Sequence, residues 1–231
     1  MKFGLYLSTQ WPEGADISCE LDNMIEQVRV ARENGFSSVW MGQHYLVAPM
    51  QMMQVMPLMA RLAAEGEDMT FGTAVVLLSM LNPAVVAEEA ATLDWITKGN
   101  FVLGVGMGYR DEEFQTLGVP KSQRVGRLEE GIEVIRRLWT EDHVEHKGRY
   151  YTVDGLGSSI KPKQPGGPPI WLGGQVPAAV ARAARLGDAW MAAPTDSMGR
   201  VAKCVEMFRQ ARMDAGRPMP ESMPITRECC I

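Results

Sequence analysis

The chain has 231 residues, of which 46% are hydrophobic, so an intrinsically disordered protein is excluded and one large domain is expected. A net charge of −5, scattered basic residues and no apolar run of roughly 18 residues argue against nucleic-acid and membrane partners. Without a signal peptide or metal-ligand spacing, the cysteines predict reduced thiols in a cytoplasmic protein; they are Cys19, Cys204, Cys229 and Cys230.

Short apolar runs recur along the chain and are typical of parallel strands that are buried on both faces. The predicted strands cover residues 3–7, 38–42, 70–77, 101–105, 169–173 and 188–192, and a seventh begins near residue 223. Because helical patterns alternate with them, the sequence predicts a parallel sheet with helices outside it. An open doubly wound sheet and a (β/α)8 TIM barrel both fit this alternation. A barrel of eight units needs about 250 residues or more, so a single barrel domain over residues 1–231 is expected to be incomplete in or after its seventh strand.

Several of the helices have recognisable ends. One has Ser18 as its N-cap and Gly35 just past its end, and another has Asn82 as its N-cap and Pro83 in its first turn. The amphipathic pattern over residues 124–139 predicts a helix with its aliphatic residues inward and its charged residues toward water. The inward set is Leu128, Ile132, Ile135 and Leu138, and the outward set is Glu129, Glu130, Glu133 and Arg137.

Two segments interrupt the alternation. Residues 142–168 are rich in glycine and proline and too long for an ordinary connection, which predicts a functional loop over one barrel end. Residues 50–59 contain a cluster of methionines, which pack well in irregular cores and also form adaptable binding surfaces. Core packing is the favoured interpretation, and a lining for an apolar substrate is the alternative. The cluster is Met50, Met52, Met53, Met56 and Met59.

The stretch LGVGMGYRDEEF, residues 103–114, places three glycines in strict alternation. The dinucleotide fingerprint G-x-G-x-x-G has a different spacing and lies in the first βα turn of its domain, so this stretch is not that motif. Alternating glycines at Gly104, Gly106 and Gly108 leave one face of a strand without side chains. We therefore expect a flat aromatic ring system to pack against this face.

The same stretch continues as LGVGMGYRDEEFQTLGVPKSQRVGRLEEGIEVIRRLW, and GFSSVWMGQHYL, GRYYTV, IKPKQPGGPPIWLGG and AARLGDAW occur elsewhere in the chain. Together these motifs resemble the bacterial luciferase-like family of flavin-dependent oxidoreductases over essentially the whole chain. The resemblance implies a TIM barrel, a homodimer, and either FMN or the deazaflavin coenzyme F420. In the FMN branch, a separate NAD(P)H-dependent flavin reductase supplies reduced FMN, which reacts with oxygen to oxygenate a small organic substrate.

The resemblance places a catalytic histidine at His44, after the second predicted strand. The carboxyl ends of barrel strands are where catalytic residues lie, and a histidine can exchange protons near neutral pH. The family motif at this point is similar to EHH, whereas this chain has Gln43 and Tyr45 on either side of His44. A histidine that merely satisfies a strand end is the alternative.

The resemblance also implies a cofactor site. A non-proline cis peptide bond is expected behind the flavin ring, and a βα turn before Pro177 is expected to hold the phosphate with free N–H groups. That turn would compensate for Met107, which stands where luciferase has an arginine against the phosphate. The cofactor-binding set is Ala74 and Val75 (the cis peptide), Gly106, Gly108 and Tyr109 (the wall and mouth), and Gly173, Gly174 and Gln175 (the phosphate turn).

Glu113 and Arg124 also recur in the family, and we interpret them as a structural pair. Three functions stay open. The leading hypothesis is an FMN-dependent monooxygenase, and the second is an F420-dependent reductase or dehydrogenase that transfers hydride without oxygen. The third is a truncated flavin-binding protein without catalytic activity.

Overall fold

The computed structural model describes residues 2–223. Its strands are β1 (Gly4–Leu7), β2 (Gln10–Trp11), β3 (Ser38–Met41), β4 (Gln51–Met52), β5 (Thr70–Thr73), β6 (Phe101–Val105), β7 (Val144–Lys147), β8 (Thr152–Leu156), β9 (Ile170–Gly173) and β10 (Ala189–Met191). Its helices are α1 (Ile17–Glu33), α2 (Val55–Gly66), α3 (Pro83–Ile96), α4 (Asp111–Thr116), α5 (Arg124–Thr140), α6 (Pro177–Leu186) and α7 (Met198–Asp214).

Six strands form one parallel sheet in the order β1-β3-β5-β6-β9-β10. This order follows the chain, as the sequence predicted, and never reverses as it would in a doubly wound sheet. Because parallel crossovers are right-handed, an unreversed order puts the connecting helices on one side of the sheet. The result is an open half-barrel, with neighbouring pairs α1–α2, α2–α3, α3–α5 and α6–α7 in contact.

Packing in the core accounts for the residue types at several positions. All five residues of β6 are buried, as expected for the middle of a parallel sheet. On the inner face, the Trp40 and Trp171 rings stack with their centroids 5.0 Å apart. A Cβ atom at Gly72 would lie 2.1 Å from the Trp40 ring, so only glycine leaves room for that indole. Met56 and Met59 are buried on α2, which confirms the core-packing interpretation for those two methionines.

Two predicted boundaries need correction. The N-cap of α1 is Asp16 rather than Ser18, because the Asp16 carboxylate accepts from the N–H groups of Ser18 and Cys19 at 3.0 and 3.3 Å. The third strand ends at Thr73 instead of residue 77. By contrast, Asn82 is the N-cap of α3, as predicted, and accepts from the Ala84 N–H at 2.9 Å. The seventh strand that the sequence predicts begins at the boundary of the described residues and extends beyond them.

Residues 142–168 are not simply a loop over a barrel end. They contain the antiparallel hairpin β7–β8, which packs against α5. Glu130 was expected to face water, but its carboxylate is largely buried and accepts from the N–H groups of Arg149, Tyr150 and Tyr151 at 2.8–3.1 Å. Glu130 therefore fixes the hairpin to the helix. Within residues 2–223, no helix is long and apolar enough to cross a membrane.

Candidate active site

The turn that follows β3 carries His44, and neighbouring side chains hold its backbone in place. The Gln54 amide donates to the His44 carbonyl at 3.0 Å, and the Tyr45 N–H donates to Glu113 Oε1 at 2.8 Å. Arg110 donates to the Tyr45 carbonyl at 3.4 Å. Because β3 and β6 are parallel, the turn after β3 and the helix α4 after β6 meet at the carboxyl edge of the sheet.

His44 and Glu113 form a hydrogen-bonded pair at this edge. His44 Nδ1 lies 3.0 Å from Glu113 Oε1, and the two side chains are 23% and 0% exposed. A carboxylate at Nδ1 holds the proton on that nitrogen and leaves Nε2 to accept or donate a proton. Within residues 2–223 no hydrogen bond engages Nε2. The arrangement is therefore that of an oriented acid–base group.

The expected pairing of Glu113 with Arg124 is wrong. Arg124 instead donates to the Lys121 carbonyl at 3.0 Å, whereas Glu113 pairs with His44 and lies 3.9 Å from Arg110. The second carboxylate oxygen, Glu113 Oε2, is buried and accepts no hydrogen bond in the described part of the chain. Glu113 Oε2 is therefore a buried acceptor for which residues 2–223 supply no donor.

Gln43 and Tyr45 take the places of the acid and the second histidine of the family motif. The buried Gln43 amide donates to the Tyr45 hydroxyl at 2.9 Å, and its oxygen accepts from the Leu77 N–H at 3.0 Å. Burial raises the pKa of the Tyr45 phenol, and the negative charges of Glu89 and Glu113 add to the effect. Tyr45 is therefore a protonated, neutral group at physiological pH.

The peptide bond between Ala74 and Val75 is cis, as the resemblance implied. The Val75 side chain lies beside the glycine turn: a Cβ atom at Gly106 would be 2.6 Å from Val75 Cγ2, and one at Gly173 would be 3.2 Å from Cγ1. A Cβ atom at Gly104 would be 1.8 Å from the Thr73 carbonyl. The prediction of an open glycine face is therefore wrong, since protein atoms fill it. Gly106 lets Val75 approach, so a planar ring at this edge would meet Val75.

Tyr109 lies at the mouth of the site, as expected. Its side chain is 69% exposed, and its ring meets the His44 ring edge-on with centroids 5.6 Å apart. Gly108 has a φ of +72°, in the left-handed region that favours glycine, and the methyl group of Met80 occupies the space beside it. The cofactor contacts of both residues stay predictions.

The predicted phosphate turn lies between β9 and α6. The Trp190 indole donates to the Gly174 carbonyl and an Arg200 nitrogen donates to the Gln175 carbonyl, both at 2.7 Å. These bonds hold the turn by its carbonyl oxygens and do not use its N–H groups. The N-cap of α6, Val176, has no side-chain capping bond, so no side chain competes for the N–H groups at the start of the helix.

A role for Arg182 on α6 is not apparent from the sequence, in which it is one of several basic residues on a helix. Its side chain is only 12% exposed, and it donates from Nε to Glu129 at 2.7 Å. Its Nη1 lies 4.0 Å from Met107 Sδ. A guanidinium group therefore lies beside the position where the family arginine is missing.

The described parts of the chain resemble known proteins both in sequence and in fold. The chain is 32% identical over 180 residues to the F420-dependent glucose-6-phosphate dehydrogenase of Amycolatopsis mediterranei, covering 73% of this chain and 52% of that one. It is 28% identical over 184 residues to the oxygenase component of the flavin-dependent trigonelline monooxygenase of Acinetobacter baylyi, covering 77% and 50%. Among solved structures, monooxygenase RslO1 from Streptomyces bottropensis superposes with a TM-score of 0.86 at 26% identity, covering 97% and 69%.

The chain thus spans about half the length of these two curated relatives. The family model described as luciferase-like monooxygenase matches residues 1–231. The similar proteins include both a flavin-dependent oxygenase and an F420-dependent dehydrogenase. The parallel half-barrel agrees with the fold of the solved structure. The chain belongs to the luciferase-like monooxygenase family.

Proposed function

We propose that this chain is a flavin-dependent monooxygenase that uses reduced FMN and molecular oxygen on a small organic substrate. The observation that carries the proposal is the pair formed by His44 and Glu113, which orients an acid–base group at the carboxyl edge of the sheet. Catalytic residues in parallel α/β barrels lie at this edge. The family contains flavin-dependent oxygenases with the same fold, which supports the reading.

The residues at this edge fit a flavin. The turn Gly173–Gln175 and the uncapped start of α6 would bind its phosphate, and the guanidinium of Arg182 would add a positive charge near Met107. Val75 and Tyr109 would contact the ring, while Gly106 and Gly108 make room for the side chains of Val75 and Met80 beside it. When bound, reduced FMN would supply the electrons with which oxygen is activated.

His44 would move a proton at Nε2, and Glu113 would stabilise the imidazolium that forms and keep the ring oriented. The Tyr109 ring meets the His44 ring edge-on at the mouth of the site and would help to hold it in place. Gln43 and Gln54 hold the turn in register with the segment that follows the cis peptide. These roles require no metal ion.

The second candidate is an F420-dependent reductase or dehydrogenase, which the similarity to the F420-dependent dehydrogenase of Amycolatopsis mediterranei favours. In that case His44 would pass a proton to or from the substrate while the deazaflavin exchanges hydride, and no oxygen would be consumed. We further propose that the half-barrel is part of an eight-stranded barrel and that the protein is a homodimer. In the FMN case, we propose that a separate NAD(P)H-dependent reductase supplies the reduced FMN.

Anaerobic titrations with reduced FMN and, separately, with F420 distinguish the two candidates. Protein-dependent changes in the fluorescence of each cofactor give its dissociation constant. The monooxygenase proposal expects reduced FMN to bind at least about tenfold more tightly than F420, a difference of about 1.4 kcal/mol. Tighter binding of F420 would replace the first candidate by the second, and binding of neither would contradict both.

A further inference from the structure

Arg110 follows Tyr109 at the mouth of the candidate active site and is the N-cap residue of α4. Its side chain is 26% exposed, and its Nη1 atom donates to the Tyr45 carbonyl at 3.4 Å and lies 3.9 Å from Glu113 Oε1. His44 Nδ1 lies 3.0 Å from the same carboxylate oxygen. The guanidinium group of Arg110 and the imidazole ring of His44 are therefore neighbours that share one carboxylate.

The guanidinium group of Arg110 keeps most of its donors for a further partner. A guanidinium has five N–H donors in a planar fork, and within residues 2–223 the Arg110 side chain makes one hydrogen bond, from Nη1 to the Tyr45 carbonyl. At 3.9 Å, its contact with Glu113 is an ion pair without a hydrogen bond. Nε and Nη2 donate to no group in the described part of the chain. These two atoms form the side of the guanidinium that can hold two oxygens at once.

The position of Arg110 in the sheet separates it from the proposed phosphate turn. Arg110 reaches from the segment after β6 toward the turn after β3, where it contacts the Tyr45 carbonyl. The turn Gly173–Gln175 follows β9, which is the neighbour of β6 on the other side. An anion bound by Arg110 is therefore a different group from a flavin phosphate at the start of α6.

The chemistry of these donors selects the kind of substrate. Arginine recognises carboxylates through two parallel, charge-assisted hydrogen bonds. The Tyr109 ring is 69% exposed and meets the His44 ring edge-on, so an aromatic surface lies next to the donors. We propose that Nε and Nη2 of Arg110 bind a carboxylate of the substrate, whose organic part packs against Tyr109 beside His44. The proposal rests on the proposed function, and it assigns the small organic substrate to the carboxylic acids.

The imidazole signal of His44 reports binding in the cofactor-free protein. The chain has three histidines, so the 13Cε1–1H resonance of His44 can be assigned by its loss in His44→Gln. We expect this resonance to shift saturably when benzoate is added to the whole chain at about pH 7.5, where an ordinary imidazole is mostly neutral. Benzamide has the same ring and nearly the same shape without the charge. It should bind about tenfold more weakly, because its hydrogen bonds with the guanidinium lack the second charge.

The ratio of the two affinities assigns the carboxylate to Arg110. Arg110→Gln should bring benzoate to the affinity of benzamide. Arg110→Lys keeps the positive charge beside Glu113 but loses the paired donors, so it should reduce the preference to about two- to fivefold. If Arg110 merely held the turn at Tyr45, its replacement would weaken both ligands and leave their ratio unchanged. The matched control is Arg124→Gln, which removes a positive charge from the start of α5, keeps a donor for the Lys121 carbonyl and should not change the ratio.

Four results would overturn the proposal. One is the absence of a saturable shift of the His44 signal with benzoate, and another is a parent-like affinity ratio in Arg110→Gln. The third is an equal loss of the ratio in Arg124→Gln, since the preference would then reflect the general charge of this edge. The fourth is competition between benzoate and reduced FMN, which would make Arg110 part of the flavin site. Cofactor titrations report on the proposed function separately, so failure to bind a flavin is distinguishable from failure to bind benzoate.

Discussion

At the scale of single residues, His44 and Glu113 are 69 positions apart and meet because β3 and β6 end at one edge of the sheet. A positioned acid–base group contributes about 10²–10⁴-fold to a rate. We expect His44→Ala to lower turnover by about two orders of magnitude and to leave cofactor affinity within a few-fold of the parent. Single-turnover consumption of the bound reduced cofactor measures the first quantity, and a fluorescence titration measures the second. Turnover at the parent rate would make His44 a structural residue.

Glu113→Gln tests whether the carboxylate acts through His44. The amide keeps an oxygen for the Tyr45 N–H, but it loses the charge that strengthens the bond to His44 Nδ1. Since a charged hydrogen bond is roughly twice as strong as a neutral one, we expect about a tenfold loss of turnover. The KM for the substrate should change little. If His44→Ala and Glu113→Gln together cost the product of their separate effects, the two residues do not act as a unit.

The site residues differ in how far the sequence could predict them. The position of His44 after β3 follows from a local motif, whereas the cis peptide at Ala74–Val75 was implied only by the resemblance to the family, and the structure has that peptide bond in the cis form. The partner of Glu113 could not be predicted, because it depends on where α4 lies relative to the turn after β3. Arg182 was missed for the same reason, since its contacts with Glu129 and Met107 cross between elements.

At the scale of elements, Glu130 joins the β7–β8 hairpin to α5 through three backbone N–H groups and His146. Burial raises the pKa of its carboxyl, but the N–H groups of Tyr150 and Tyr151 and the His146 ring outweigh this and lower it overall. A lowered folded-state pKa stabilises the fold above the unfolded-state value of about 4.3, and the stabilisation is lost as pH falls through the folded-state pKa.

We therefore expect Glu130→Gln to lower the free energy of unfolding by about 1–3 kcal/mol at pH 7 and by less at about pH 3, below the unfolded-state pKa. Urea unfolding curves at the two pH values measure this. The matched control is Glu133→Gln, whose exposed carboxylate lies 3.8 Å from the other ring nitrogen of His146 and should matter little. Equal stability of Glu130→Gln and the parent at pH 7 would show that the hairpin does not depend on this carboxylate.

Gly174 links the turn after β9 to α6. A Cβ atom there would lie 2.5 Å from the Ala179 Cβ atom, so Gly174→Val should both displace the start of α6 and obstruct its N–H groups. We expect the variant to lose at least about tenfold in cofactor affinity. Gly199→Val is the control, because nothing lies within 4 Å of a Cβ atom at that position. Circular dichroism of both variants checks that a loss of binding is not a loss of fold.

Elements were predictable where the signal is local. The near-continuous apolar run over residues 101–105 and the Asn82–Pro83 start of α3 were placed correctly. The third strand was predicted too long, because residues 74–77 are as apolar as a strand and yet the continuous ladder ends at Thr73; after it only Val76 pairs again, in an isolated parallel bridge to Val105. The hairpin in residues 142–168 was missed because glycines and prolines surround its two short strands.

At the scale of the whole molecule, the alternation of strands and helices was enough to predict six parallel strands in chain order. This strand order could be predicted without knowing which strands pair in the folded protein, since consecutive strands joined by right-handed crossovers are normally neighbours. Closure of the sheet is a different matter. Closure requires further strands that pair with β1 and β10, which are the two edges of the sheet in residues 2–223. The sequence pattern of residues 2–223 does not specify those further strands.

In the proposed function, one edge of this half-barrel binds a flavin at the α6 turn, and His44 acts on the bound flavin. The most direct test is the dissociation constant of reduced FMN for the parent chain, His44→Ala and Gly174→Val, measured by anaerobic fluorescence titration. We predict saturable binding to the parent, affinity within a few-fold of the parent for His44→Ala, and a loss of at least about tenfold for Gly174→Val. If folded Gly174→Val binds reduced FMN with the same affinity as the parent, the flavin does not bind at the α6 turn.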